Sequence, residues 1–377
     1  MIVEISKRLR NIVREDGSVG HLGGDEFVIV LKGVEIPLDI KAIADNILFG
    51  VGESFVINSR ELLMTVSVGI AIYPDNGAEP SELVKYADSA MHHAKGLGRN
   101  TASYFTEELN YSMTRLTAIE EQLKGALERN EFEIYYQPKA EICSGKIVGA
   151  EALLRWNNPS LGSVSPVEFI PVAEQTGLII PIGEFVFNSA FAAAKKWVNE
   201  FDKSFSIAVN LSPRQFKDAE LVTSIKAAMD RVDISPSCVE MEITEGILMG
   251  DHAYINDALA GLDALGIKIS LDDFGIGYSS LSYLRKYPFD ILKIDRSFIS
   301  DITTNSADRE LTNAAIAMAH SLNLKVVAEG IETKDQLNLL KAMNCEFGQG
   351  YLFSKPVPED QMTKILTIAV GQHSVLK

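Results

Sequence analysis

The side chains able to do chemistry stand at the ends of short apolar runs. In 268–275, KISLDDFG, an alternating run ends in the adjacent carboxylates Asp272 and Asp273. Seven runs end in polar residues, namely Glu151, Asn210, Glu242, Glu245, Asp272, Asp273, Lys293, Asp295, Glu329, Glu332 and Gln349. If these strand ends meet, the charge density is costly in a partly buried cleft unless a cation compensates it.

The candidate ligands are all oxygen donors, without histidine or cysteine, so they favour Mg²⁺ or Mn²⁺ over zinc. Adjacent aspartates could let one carboxylate bridge two ions while its neighbour completes the second ion's shell. Two metals about 3.5–4 Å apart are an arrangement used for phosphoryl transfer. Lys293 could orient the attacking water or offset phosphate charge. In the alternative interpretation, these carboxylates cap helices and line a solvated rim.

The elements that must position these side chains alternate between strand and helix from residue 132 onward. Eight apolar runs follow one another: FEIYYQP, KIVGAEALLRW, FSIAVNLS, VEMEIT, KISLDDF, DILKID, KVVAEGI and FGQGYLF. Helical patterns separate most of them, which predicts an α/β fold of the (β/α)8 barrel type, with its chemistry at the C-terminal mouth. Only ICSGK separates the first two runs, too short for a parallel crossover, so we expect an antiparallel first strand.

The first hundred residues predict a separate α+β region. An amphipathic helix at about 1–15 precedes SVGHLGGDEFVIVL, whose Gly23 and Gly24 permit a tight hairpin. A helix at 40–48, two strands and a helix from SELVKYADSAMHHAK follow, and a polar helical segment at 106–130 connects to the barrel. We expect domains at 1–103 and 118–372, joined by a helical connector at 104–117.

Composition limits the classes of function. The net charge of −16 argues against binding a nucleic-acid polymer, although metals can bridge acidic side chains to a small phosphate ligand. The three cysteines lack CxxC spacing, which fits a reducing compartment. Charges and Pro181 interrupt the most apolar stretch, 177–198, so we expect no membrane contact. The expected location is the cytoplasm, either as a free protein or as the cytoplasmic part of a longer membrane-anchored sensor.

Over roughly 116–370 the sequence resembles the EAL family of cyclic di-GMP phosphodiesterases. The motifs are EALLRW at 151–156, NLS at 210–212, EITE at 242–245, DDFGIGYSSL at 272–281, LKID at 292–295, AEGIE at 328–332 and QGY at 349–351. The resemblance implies hydrolysis of one phosphodiester bond of cyclic di-GMP, giving linear pGpG. A non-catalytic cyclic di-GMP receptor is the alternative, although relatives of that kind usually lack metal ligands or the lysine.

The resemblance also implies roles for individual residues. Two Mg²⁺ or Mn²⁺ ions per site would be held by Glu151, Asn210, Glu242, Asp272, Asp273 and Glu329. Lys293 would contact the attacking water, and Glu329 is also a candidate general base. The substrate would be contacted by Gln137, Leu154, Arg155, Asp295 and Gln349. Glu245 would fix the loop after Asp273, which implies a homodimer through that loop, and Ile276 stands there in place of the usual threonine.

Residues 1–100 resemble a GGDEF domain, the module of diguanylate cyclases. The motif residues are Gly23, Gly24, Asp25, Glu26 and Phe27, and SVGIA at 67–71 supports the resemblance. Asp25 and Glu26 would contribute to a metal site. The family's upstream helix and central strand, with a further metal aspartate, are absent, and the inhibitory Arg-x-x-Asp fails because Gly17 stands where the aspartate belongs. We therefore expect an inactive or regulatory remnant, with cyclase activity the less favoured alternative.

Overall fold

A computed structural model describes residues 1–13, 17–33, 37–57, 60–248, 253–275 and 281–372. The chain forms two compact units, Met1–Ala118 and a second from Ile119 onward.

Small sheets and helices build the first unit. Its strands are β1 (Gly17–Gly23), β2 (Glu26–Leu31), β3 (Phe55–Ile57), β4 (Arg60–Leu62), β5 (Val68–Ile70) and β6 (Ala102–Tyr104). Its helices are α1 (Ile2–Val13), α2 (Pro37–Gly52) and α3 (Pro80–Gly96), and α4 (Glu107–Leu123) continues past Ala118. The strands pair as three separate two-stranded sheets: β1–β2 and β3–β4 are antiparallel, and β5–β6 is parallel.

The core of this unit is small. It centres on Leu9, Ile47, Val51 and Phe55. Arg8 joins α1 to the end of α2, since its guanidinium donates to carbonyl oxygens there and lies 3.8 Å above the Phe55 ring. The amphipathic pattern of the first helix is thus explained by packing on one side only.

Eight strands close the barrel of the second unit. They are β7 (Phe132–Glu141), β8 (Ile147–Asn158), β10 (Ser206–Leu211), β11 (Val239–Thr244), β12 (Lys268–Phe274), β13 (Ile291–Ile294), β14 (Lys325–Ala328) and β15 (Phe347–Gln349). They follow this order around the barrel, and β7 closes it by pairing with both β8 and β15. The expected barrel is confirmed. The short strands β9 (Gly162–Val164) and β16 (Val357–Pro358) extend the sheet at β8 and β7.

The predicted reversal of the first strand is also confirmed. β7 runs antiparallel to both neighbours, whereas the six junctions from β8 through β15 are parallel. The helices are α5 (Pro166–Thr176), α6 (Ile179–Glu200), α7 (Leu221–Val232), α8 (Glu245–Leu248), α9 (Ala253–Ala264), α10 (Leu281–Lys286), α11 (Arg296–Ser300), α12 (Ser306–Ser321), α13 (Lys334–Ala342) and α14 (Glu359–Gln372).

Alternation along the strands separates the core from the site. Ile207, Val209, Met241 and Ile243 are buried apolar residues that alternate with Ala208, Asn210 and Glu242 on β10 and β11. Because successive strand residues face opposite sides, the apolar set packs under the helices while the other set faces the bore. The polar strand-end residues therefore belong to the interior face of the barrel.

Candidate active site

Lys293 lies at the centre of the acidic cluster. Its ammonium nitrogen is 2.7 Å from Glu329 Oε1, 2.8 Å from Glu242 Oε2 and 3.0 Å from Asp272 Oδ2. Glu151 Oε2 is a fourth carboxylate oxygen, 3.8 Å away. Lys293 is only 1% exposed, so these contacts lie almost entirely out of water. The structure thus brings together carboxylates from four strands or strand ends around one cation.

The cluster perturbs the pKa values of Lys293, Glu242 and Glu329. Burial opposes the charge of Lys293, but the surrounding carboxylates outweigh it and hold its pKa well above the ordinary value. Burial, together with the charge of Glu151, raises the pKa of Glu242 well above its usual range. Burial likewise raises the pKa of Glu329 to about 7. The site therefore holds more negative charge than one ammonium can balance.

Two amide side chains, Asn210 and Gln349, hydrogen-bond to the Glu151 carboxylate at one side of the cluster. Asn210 Nδ2 donates to Glu151 Oε1 over 2.7 Å, and Gln349 Nε2 donates to Glu151 Oε2 over 2.6 Å. Gln349 Nε2 also lies 3.0 Å from Gln137 Oε1, and Gln137 donates to the carbonyl of Ser354. These bonds and Lys293 outweigh the burial of Glu151, so its pKa is lowered and it stays ionised. Its orientation is fixed by both neighbours.

A β-bulge lies at the two adjacent aspartates, Asp272 and Asp273. The register between β12 and β13 shifts between Leu271 and Phe274. Asp273 has φ +57°, a left-handed conformation that is uncommon for aspartate, and its N–H donates to Asp272 Oδ1. Burial and the charge of Asp272 raise the pKa of Asp273. The strand alternation that would send the second aspartate to the opposite face is thus interrupted at this position.

Other predicted residues have local partners of their own. Asp295 Oδ1 accepts from the Ser297 N–H and caps α11, and Glu332 forms an exposed ion pair with Arg296 at 2.8 Å. For these two carboxylates the cap-and-rim interpretation describes the contacts seen. Glu245 is buried at the start of α8. Ile276 and the loop at 276–280 lie outside the described residues.

The predicted substrate-contact residues on β8 face different ways. Leu154 joins the hydrophobic core through its side chain, while its carbonyl accepts from Arg155 Nη1 over 2.9 Å. The half-buried guanidinium of Arg155 lies 5.4 Å from the centroid of the Tyr135 ring. Arg155 is therefore held by an aromatic side chain and a carbonyl, without an ion pair among the contacts seen for it.

The donor set fits a divalent cation in the chemistry of its atoms. Its members are carboxylate and amide oxygens, the ligands that Mg²⁺ and Mn²⁺ prefer. Among the described residues, Glu242 Oε2 is fully buried and accepts no well-aligned hydrogen bond, even from nearby Lys293. Within those same residues, no group of three acidic, histidine or cysteine side chains is arranged so that it could hold a metal ion. The ammonium of Lys293 contacts the carboxylate oxygens that a metal would need.

The GGDEF hairpin is exposed. Gly23, the last residue of β1, and Gly24, the first residue of the turn to β2, have φ +137° and +57°, and the predicted hairpin is present. Asp25 and Glu26 are exposed at its tip, whereas Phe27 packs on the small core of the first unit. A metal role for Asp25 and Glu26 stays a prediction.

An eight-stranded α/β barrel with an acidic, lysine-centred mouth defines the class of this chain. Comparison with known families gives the narrower assignment: residues 120–356 match the EAL domain, and residues 1–101 match the diguanylate cyclase GGDEF domain. The chain belongs to the EAL domain family. Phosphodiesterases of this family generally depend on divalent metal ions.

Similar proteins combine the same two regions. A bifunctional diguanylate cyclase/cyclic di-GMP phosphodiesterase, MucR of Pseudomonas aeruginosa, is 39% identical over 96% of this chain and 53% of its own length. The cyclic di-GMP phosphodiesterase NbdA of the same organism is 38% identical over 94% of this chain and 45% of its own length. The chain thus spans about half the length of these curated relatives.

A solved structure of the MucR phosphodiesterase in complex with cyclic di-GMP superimposes with a TM-score of 0.62 and 42% identity. It covers 65% of this chain and 99% of the solved one. Across the described residues, no helix combines the length and apolar character needed to cross a membrane.

Proposed function

We propose that the chain hydrolyses one phosphodiester bond of cyclic di-GMP to give linear pGpG at the mouth of its barrel. The observation that carries this proposal is the buried ammonium of Lys293 among the carboxylates of Glu242, Asp272 and Glu329. Family membership and the MucR complex with cyclic di-GMP support the choice of substrate.

Two divalent cations, Mg²⁺ or Mn²⁺, complete the site in this proposal. They would be held by the oxygens of Glu151, Asn210, Glu242, Asp272, Asp273 and Glu329. When bound, they would supply an activated water and neutralise charge on the phosphate. The hydrogen bonds from Asn210 and Gln349 keep the Glu151 carboxylate in one orientation. Hydrogen-bonding groups around metal sites commonly orient the ligands in this way.

Lys293 and Glu329 would have opposite roles in proton transfer, as donor and acceptor. Because its pKa is well above the usual value, Lys293 stays protonated and acts as a donor to water or to a phosphate oxygen, never as a base. Glu329 Oε1, 2.7 Å from Lys293, is also a candidate proton acceptor, and burial raises its pKa to about 7 in the metal-free chain. A cation bound to the same carboxylate would lower that pKa and make Glu329 a weaker base.

The substrate is positioned by the neighbouring side chains. Arg155 would pair with a phosphate, and Gln137 and Asp295 would hydrogen-bond a guanine or ribose edge. Gln349 would order water or the metal shell, while Leu154 would act through its backbone because its side chain is in the core. Glu245 would fix the loop after Asp273, through which a homodimer would form, and the GGDEF region would be inactive or regulatory.

The test is a chromatographic assay of the purified chain with cyclic di-GMP and, separately, with GTP, each with Mg²⁺, Mn²⁺ or EDTA. We expect metal-dependent pGpG and no cyclic di-GMP from GTP. Binding of cyclic di-GMP without turnover would show that the chain is a cyclic di-GMP receptor and not a phosphodiesterase. Formation of cyclic di-GMP from GTP would make the GGDEF region a cyclase.

A matched pair of variants ties the activity to the site. Glu151→Gln removes the negative charge of one carboxylate in the cluster. Glu310→Gln makes the same change at an exposed position of α12. The first should lose at least about 100-fold in turnover, as expected for loss of a metal ligand or its neighbour. The second should match the wild type. Equal activity in both variants would refute the assignment.

A further inference from the structure

A second buried ion pair crosses the barrel below the mouth. Lys139 Nζ lies 2.5 Å from Glu240 Oε2, and the two residues are 5% and 0% exposed. Lys139 is on β7 and Glu240 is on β11, and these strands are separated by β8 and β10 around the barrel. The pair therefore spans the bore and does not link neighbouring strands.

Both ends of the pair lie two residues from the mouth. Lys139 follows Gln137 on β7, and Glu240 precedes Glu242 on β11, so each shares a strand face with its mouth residue. Lys139 also stands opposite Gln349, which contacts both Gln137 and Glu151. The ion pair thus connects the amide side of the mouth with the Glu242 side.

Small residues on the two intervening strands make room for this crossing. Gly149 is paired with Lys139, and Ala208 is paired with Glu240. A β-carbon at Gly149 would come within 3.4 Å of Lys139 Cε and 2.5 Å of the Ser206 carbonyl oxygen. A larger side chain at this position would therefore displace the lysine or the neighbouring strand.

Stability alone is a poor explanation for the pair. Among the described residues, Glu240 Oε1 is fully buried and has no hydrogen-bond partner, which is an energetic cost. Buried ion pairs of this kind can often be replaced by apolar side chains of similar volume without loss of stability. The geometry is thus better suited to setting a distance than to holding the fold together.

We propose that Lys139 and Glu240 are positioning residues, a cross-bore tie that sets the separation of Glu242 from Gln137 and Glu151 and so shapes the cation site. This inference rests on the proposed function, since it assigns the tie to metal binding. Neither residue touches the reacting atoms in this account. Both act through the strands that carry mouth residues.

The test combines Mn²⁺ titration calorimetry with thermal unfolding of the metal-free chain. The double variant Lys139→Met/Glu240→Leu removes both charges together, so its unfolding temperature should stay within a few degrees of the wild type. Its Mn²⁺ affinity should fall by about 10-fold or more, the usual effect of losing an outer-shell partner. Met241→Leu, a volume-conserving apolar change on the opposite face of β11, should alter neither quantity.

Each outcome decides the matter. Wild-type Mn²⁺ affinity in the folded double variant would overturn the tie while leaving the proposed function intact. Absence of Mn²⁺ binding by the wild type would overturn both. If the double variant does not fold, Glu240→Gln keeps the shape of the side chain. A native circular dichroism spectrum with weakened Mn²⁺ binding would then support the tie, and native affinity would overturn it.

Discussion

Replacing Lys293 with methionine removes the cation of the mouth while keeping much of the side-chain volume. At an effective dielectric constant of about 20, each contact near 2.8 Å corresponds to about 6 kcal/mol of attraction, and three such contacts are present. Desolvation of the charges cancels most of that attraction. Removing one partner from a buried ion pair typically costs about 3–5 kcal/mol, because the remaining charges are left uncompensated.

For a barrel of this size, such a loss lowers the unfolding temperature by roughly 10 °C. The loss depends on pH with a definite sign. Glu242 and Glu329 have folded pKa values above the ordinary one, with Glu329 at about 7. Without Lys293 these two carboxylates are protonated more readily in the folded chain. The loss of stability of the variant relative to the wild type therefore grows as the pH rises above the pKa values of the unfolded chain, and it shrinks as the pH falls.

The assay is thermal unfolding in EDTA and again with Mn²⁺, which should recover about 2.7 kcal/mol at a concentration 100 times its dissociation constant. Lys364→Met is the control, because Lys364 forms an exposed pair with Asp360 on α14, and surface changes usually stay within about 0.5 kcal/mol. If Lys293→Met in EDTA unfolded at the same temperature as the Lys364 variant, the electrostatic argument would be refuted.

Three further changes have defined outcomes. Glu131→Gln should cost about 1–3 kcal/mol, because the carboxylate accepts from Arg129, Asn158 and Trp156. The pKa of Glu131 is lowered to about 2, so urea titrations should show its stabilisation above pH 4.5 and its loss toward pH 2, and an equal acid response in the variant would contradict this. Gly350→Ala places a β-carbon 2.2 Å from the Ile331 carbonyl oxygen at φ +155°, so it should destabilise the chain by about 1–3 kcal/mol in calorimetry, and native stability would count against the packing described. Asp273→Asn should hold or raise the unfolding temperature, since it removes like charge at a left-handed residue, while pGpG formation falls at least about 10-fold; retained turnover would exclude Asp273 from the site.

The strand ends could be predicted because the barrel converts order along the chain into a ring of side chains. The runs that carry Glu151, Glu242 and Asp272 contribute to one mouth, and the short ICSGK connection required the reversed strand that is seen. Distances between these side chains depend on the tilt and register of the strands, which the pattern of apolar and polar residues in the sequence does not determine. The central place of Lys293 among four carboxylates therefore becomes visible only in three dimensions.

Other features had weak local signals. The bulge at Asp273 depends on the pairing of β12 with β13, so adjacent aspartates alone do not reveal it. Lys139 and Glu240 give no separate signal in the sequence, because a lysine directly after FEIYYQP and a glutamate inside VEMEIT are ordinary polar residues of strands. Asp295 acts as a helix cap, a use of aspartate that the sequence allows equally well. The helical segment predicted at 106–130 ends at Leu123, and Gly125 follows with φ +78°.

The most direct test of the account is the number of Mn²⁺ ions bound per metal-stripped chain, measured by titration calorimetry with the wild type and with Asp272→Asn. We expect two ions for the wild type, since Asp272 would contribute to holding both, and a marked loss of binding in the variant. Binding of no Mn²⁺ by the wild type, or undiminished binding by Asp272→Asn, would contradict the claim that the acidic mouth is a two-cation site.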